Sequence, residues 1–177
     1  MQPLAYRLRP EKIEDIVYKN ILTGMKNRYA LENDIGERLQ SEPFNMAMFD
    51  MDNFRNINDT YGYDFGDEYL VQIAEKLQND FGEYAEIYNI CGNQFFVLFN
   101  SGISKEKSIN LSKNIFTAMG MAYNIGNIGI QLSVSGSAYN YLPGECPNLD
   151  SLLIKMDNII RNIKANGGNS MASVTNI

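Results

Sequence analysis

Asp50 and Asp52 stand one residue apart where the apolar run Met46-Ala47-Met48-Phe49 ends, with Asn58, Asp59 and Asp67 soon after. An apolar strand that delivers acids at its C-terminal end suits Mg2+, a hard cation that takes oxygen ligands and bound phosphates. The plainer alternative is a buried strand running into an acidic turn and a helix cap. Phe54-Arg55 adds an aromatic and a basic side chain, and Gly62 and Gly66 each lie close to an acid. The chain has no histidine, so the commonest general base and any histidine-based metal site are excluded.

The elements around these residues follow from periodicity. Apolar spacing predicts helices over 27–40, 54–58, 67–80, 104–121 and 149–165, the last stopped by Gly167-Gly168. Asp67 and Glu68 suit the N-terminal dipole of their helix. Residues 45–50 read as the central strand. The β-rich runs 86–90 and 95–99 flank Cys91-Gly92-Asn93-Gln94, a hairpin signal with glycine in the turn. Residues 128–139 read as a strand broken by Gly136, and 171–174 as a strand that closes the sheet. The order β-α-β-β-α-β predicts an α+β, ferredoxin-like palm with a central, mostly antiparallel sheet covered by helices.

At 177 residues, 45% hydrophobic and 20% charged, the chain is expected to form one globular domain with a real core. Its formal net charge of −6 argues against an extended nucleic-acid surface, which needs clustered Lys and Arg, though not against one mononucleotide. Cys91 and Cys146 do not make a disulfide framework, and no run is long and apolar enough to span a membrane. A cytoplasmic setting is the resulting expectation. Residues 1–19 read as a leader with a helical period after Pro10, and 20–177 as the domain. Over residues 1–17 the leader resembles the opening of clamp-loader-like recombination ATPases, but no phosphate-binding glycine loop follows it.

The run from Asp50 to Asp67 resembles the nucleotide-binding segment of the GGDEF family, the bacterial diguanylate cyclase domains. Asp50, Asp52, Phe54, Ile57, Asn58, Asp59, Gly62, Gly66 and Asp67 fall on its pattern, with Arg55 in place of a lysine and Tyr63 in place of a histidine. Upstream, Leu22-Thr23-Gly24-Met25-Lys26-Asn27-Arg28 matches a second family segment, and Asn20 occupies a position usually held by Asp. The resemblance implies a nucleotidyl cyclase type of palm, with Asn58 and Asp67 on the guanine edge, Phe54 and Arg55 in the loop around the phosphates, and Lys164 as a phosphate contact. It further implies Mg2+ held by Asp50, the Met51 backbone carbonyl and the first acid of the hairpin.

The signature hairpin departs from the pattern. It reads Cys91-Gly92-Asn93-Gln94-Phe95, so only Gly92 and Phe95 match. Asn93 and Gln94, at the catalytic positions, are near-isosteres of the two expected acids without their charge. An amide carbonyl is a weaker Mg2+ ligand than a carboxylate, and an amide cannot act as a general base. Loss of one well-placed group costs roughly 100–1000-fold in rate. Gly168 replaces an expected arginine, and the product-inhibition motif, which falls at Gly82 and Ala85, is absent. Asp52 is read as structural. Three functions follow: an impaired signalling domain that keeps GTP binding, with Mg2+ if nucleotide is bound; a residual cyclase making cyclic di-GMP from two GTP across a homodimer; or a structural domain for a sensor or effector protein. Asn58, Asp67 and Lys164 also have ordinary readings, as helix caps and a solvated lysine.

Overall fold

The computed structural model describes residues 16–175. Most of the expected leader, residues 1–15, lies outside the described residues. The elements in chain order are α1 (Arg28–Ile35), α2 (Arg38–Ser41), β1 (Phe44–Met51), α3 (Phe54–Tyr61), α4 (Tyr63–Phe81), β2 (Ala85–Cys91), β3 (Gln94–Phe99), α5 (Lys105–Met119), β4 (Ala122–Ile125), β5 (Ile128–Gln131), β6 (Val134–Tyr141), α6 (Leu149–Ala165) and β7 (Met171–Thr175).

Five strands form a sheet in the order β2-β3-β1-β6-β7, antiparallel except for the parallel β6–β7 pair. β1 is central and covered on both faces, which is why its sequence is almost continuously apolar. Successive side chains of a strand point to opposite faces. Ala47, Phe49 and Met51 accordingly join Tyr69, Leu70 and Ile73 of α4 and Ile115 of α5 in one core cluster. Met46 and Met48 join Leu31 and Ile35 of α1 and Leu152, Met156 and Ile160 of α6 in the other. Each fully buried Leu, Ile, Phe or Met side chain contributes about 1.5–3 kcal/mol. The result is the expected mixed α+β domain, with a central, mostly antiparallel sheet between helices.

Three of the expected spans are divided or moved. The helix expected over 27–40 is split between α1 and α2, with Gly36 as the C-cap of α1. The helix expected from residue 67 begins at Tyr63, because Gly62 at φ +90° lets the chain turn sharply from α3 into α4. Asp64, not Asp67, is therefore the acid in the first turn. The strand expected over 128–139 is two strands, β5 and β6, divided at Leu132 and Ser133. Gly136 does not break β6. It pairs with Phe49, and a Cβ there would lie 2.5 Å from the Phe49 ring. The β4–β5 hairpin was not foreseen.

Candidate functional site

The end of β1 is the meeting point. Asp50 pairs with Gln94 across the β1–β3 ladder, and the turn joining β2 to β3 lies over Met51, whose N–H reaches the Asn93 carbonyl at 3.4 Å. Gly92 supplies the φ of +48° that this two-residue turn requires. Asn93 Nδ2 donates to Asp50 Oδ1 at 2.6 Å and to the Met51 carbonyl at 2.8 Å. Gln94 Nε2 donates to Asp50 Oδ2 at 3.0 Å and to Asp157 Oδ1 of α6 at 3.1 Å. From the same helix, Lys164 Nζ donates to Asp50 Oδ1 at 2.6 Å and to the Met51 carbonyl at 3.4 Å. Both oxygens of Asp50 and the carbonyl beside it are thus engaged by N–H groups of the protein itself.

Asp52 shares Lys164 with Asp50 but is held by a different set of donors. It is buried, accepts from the Ser135 hydroxyl at 2.8 Å and the Asn169 backbone N–H at 2.9 Å, and lies 3.5 Å from Lys164. Burial pushes its carboxyl up, but the Asn169 N–H, the Ser135 and Ser133 hydroxyls and the Lys164 ammonium together hold it below the usual carboxylate range. The loop that closes over it is unusual backbone: Gly167, Gly168 and Asn169 all have positive φ. Asp52, Asn53, Ser133, Lys164, Gly167 and Gly168 line a cavity of about 180 Å³. Asn53 is left-handed and leads into α3, whose N terminus carries no side-chain cap, an arrangement that favours an anion.

The α3–α4 junction holds the remaining residues. The Asn58 side chain lies against Gly66, next in sequence to Asp67, which is exposed. A Cβ on residue 66 would overlap Asn58 Oδ1. That oxygen is buried and has no hydrogen-bond partner. The Phe54 ring packs inward, 3.2 Å from the same Cβ position and 6.4 Å from the Tyr69 ring. Only its backbone remains for phosphate contact. The Arg55 side chain is 90% exposed, with Asp59 one turn on at 3.6 Å.

The structure therefore brings Asp50, Met51, Asn93, Gln94 and Lys164 into direct contact, packs Asn58 on Gly66, and leaves the Arg55 side chain in solvent. Sequence reasoning missed three contributors. Asn89, 2% exposed, braces the turn by donating to the Gly92 and Gln94 carbonyls at 2.8 and 3.0 Å. Asp157 anchors Gln94, and Asn169 caps Asp52. An Asn two residues before a Cys-Gly turn is a weak signal, and the other two contacts span 63 and 117 residues. Asn20, standing where an Asp was expected, accepts the Leu22 and Thr23 N–H groups through Oδ1, a role either residue fills.

As they stand, these residues do not fit the Mg2+ that the family resemblance implies. Mg2+ demands near-octahedral oxygen at about 2.0–2.1 Å, whereas the Asp50 and Met51 oxygens face amide and ammonium nitrogens. No group of three Asp, Glu, His or Cys that could hold a metal occurs among the described residues.

This fold has counterparts among known proteins. The chain belongs to the GGDEF family: the family described as "Diguanylate cyclase, GGDEF domain" matches residues 18–170. It is 27% identical over 147 residues to the probable diguanylate cyclase DgcI of Escherichia coli (strain K12), covering 82% of this chain and 31% of DgcI. It is 24% identical to MucR of Pseudomonas aeruginosa, a bifunctional diguanylate cyclase/cyclic di-GMP phosphodiesterase, covering 92% of this chain and 24% of MucR. The chain thus spans about a third or less of these two relatives. Among solved structures, diguanylate cyclase SiaD of P. aeruginosa, in complex with its activator SiaC, superposes with a TM-score of 0.79 at 23% identity, over 92% of this chain and 64% of SiaD. DgcB from Caulobacter crescentus, a coiled coil and GGDEF domain in complex with c-di-GMP, gives 0.76 at 18% identity, over 93% and 89% of the two chains. At these identities the superpositions speak for the fold alone. Among the described residues no helix is long and apolar enough to cross a membrane.

Proposed function

We propose that this is a catalytically impaired GGDEF signalling domain that keeps a guanine-nucleotide pocket. The carrying observation is that Asn93 and Gln94 both turn N–H groups onto Asp50, where carboxylates are expected. Neither amide can take a proton from a ribose hydroxyl, and neither supplies charge to balance a phosphate-bound cation. The guanine end is better preserved. Asn58 has a buried acceptor with no partner packed on Gly66, and Asp67, the next residue along α4, is an exposed carboxylate. The N–H groups of a guanine edge are the complement of such a pair, and an adenine edge is not. Lys164, the phosphate contact that the resemblance implies, is held at the edge of this site by Asp50 and the Met51 carbonyl.

Calorimetric titration with GTP, with ATP as control, tests this reading. Binding of GTP without ATP supports it, and equal affinities or no heat at millimolar GTP overturn it. Product chromatography tests impairment. The other reading, a residual cyclase acting across a homodimer, is supported by Asp50, Asn58, Asp67 and Lys164 matching the family pattern in type, and it requires cyclic di-GMP to appear from GTP. Asn93→Asp with Gln94→Glu locates the defect. Product from that double variant alone places it in the hairpin; none from a folded, GTP-binding double variant moves it to Cys91 or Gly168.

A further inference from the structure

We infer that the Asp50–Met51 position takes no divalent cation, because the Lys164 ammonium and the Asn93 carboxamide fill the place such an ion would occupy. This rests on reading Asp50 and Met51 as the family's cation position. The argument is geometric. Asp50 Oδ1 and the Met51 carbonyl are the two oxygens that would have to converge on one ion, and both are bridged by the same two nitrogens. Asn93 Nδ2 lies 2.6 and 2.8 Å from them, and Lys164 Nζ 2.6 and 3.4 Å. An ammonium has three donors and no lone pair, so it competes with a metal ion and cannot ligate one.

The rest of the donor set is committed elsewhere. Asp50 Oδ2 accepts from Gln94, and Asp52 accepts from Ser135 and Asn169. A divalent ion would have to displace an ion pair and an amide bridge from a carboxylate that is only 15% exposed, and would gain one carboxylate and one carbonyl in return. The ammonium brings one positive charge to the site with no ion drawn from solution. The site is therefore complete in the absence of metal, and ligand binding at it is independent of Mg2+.

Mn2+ alone is the probe. Its free concentration is read by electron paramagnetic resonance, and its location by broadening of backbone amide resonances. The unsubstituted chain is expected to leave Mn2+ free, with Met51 and Asn93 unbroadened. Asn93→Asp, which gives the ion a second carboxylate and removes a bridging donor, is expected to bind Mn2+ at least about tenfold more tightly. Lys164→Met, on the half-exposed face of α6, is expected to gain affinity in the same direction and serves if the turn variant misfolds. Saturable broadening of Met51 and Asn93 in the unsubstituted chain overturns the inference. So do two folded variants that bind Mn2+ no better than their parent. GTP titrated in EDTA and in Mg2+ separates this inference from the nucleotide reading. Equal affinity in both supports it, and binding lost in EDTA overturns it while the pocket stands. If GTP binds in neither, the nucleotide reading falls and the Mn2+ result alone decides.

Discussion

Gly168 is packed so closely on Asp52 that a Cβ at residue 168 would lie 2.9 Å from Asp52 Oδ2, at a backbone φ of +66°. Two separate constraints thus select glycine where the resemblance implies arginine. Gly168→Arg is expected to lower stability by about 1–3 kcal/mol through left-handed strain and the crowded carboxylate. It is also expected to leave GTP affinity no higher. Chemical denaturation and calorimetry check both, and a stable variant with tighter GTP binding would show that the loop has room to rearrange.

Asn58 separates binding from stability. Its buried Oδ1 has no partner, and an unsatisfied buried acceptor costs about 1–3 kcal/mol. Asn58→Ala is therefore expected to leave the nucleotide-free domain as stable as its parent or more so. GTP affinity is expected to fall about tenfold to a hundredfold, the worth of one or two hydrogen bonds. Loss of stability with unchanged affinity makes Asn58 a structural residue.

Gln94 holds two acids apart. Its amide nitrogen lies 3.0 Å from Asp50 and 3.1 Å from Asp157. Gln94→Glu places a third carboxylate between them and is expected to lower the melting temperature. The cost of two or more carboxylates sharing a site is a raised folded-state pKa. The deficit is thus smallest in acid and grows as the pH rises through that value. Melting curves across pH on parent and variant test the sign, and a deficit independent of pH removes charge repulsion as its cause.

Asn89 is the brace of the hairpin. Asn89→Ala strands the Gly92 and Gln94 carbonyls and is expected to cost about 2 kcal/mol. Hydrogen exchange is expected to accelerate first at the turn residues 91–94. Uniform acceleration throughout the sheet would show that Asn89 serves the core and not the turn.

Asp52 sets part of the acid limb of stability. Its folded pKa lies below the unfolded value of about 3.9. Its contribution is therefore complete above that value and is lost as the pH falls through the lower, folded one. Asp52→Asn is expected to be less stable at neutral pH, since an amide cannot accept all the bonds that the carboxylate does, and less sensitive to acid. Parallel acid limbs in parent and variant would exclude Asp52 as their source.

Much of the framework was legible in the chain. The apolar run into Asp50 marked β1, the Gly-containing turn marked the β2–β3 hairpin, and Gly167-Gly168 marked the end of α6. The β4–β5 hairpin was missed: Gly126-Asn127 joins Tyr123 and Ile125 to Ile128 and Ile130, but its strands of four residues are too short for periodicity to stand out. Other features lie beyond local pattern. The abrupt restart at Gly62 depends on one dihedral angle. The grip of Asn169 on Asp52 depends on the parallel β6–β7 pairing, in which Gly136 aligns with Met171. Above all, sequence names Asn93 and Gln94 as amides but does not say which end of each faces Asp50.

That last point reaches past this hairpin. Asn and Asp, like Gln and Glu, have almost the same outline, so an acid in place of the amide at residue 93 or 94 would reverse the direction of hydrogen donation without altering shape. A backbone superposition is blind to such a reversal: it follows the path of the hairpin and not whether residues 93 and 94 offer protons to Asp50 or receive them. Outline and polarity are separate properties of a site, and in this hairpin the two amides set the polarity by turning N–H groups onto Asp50.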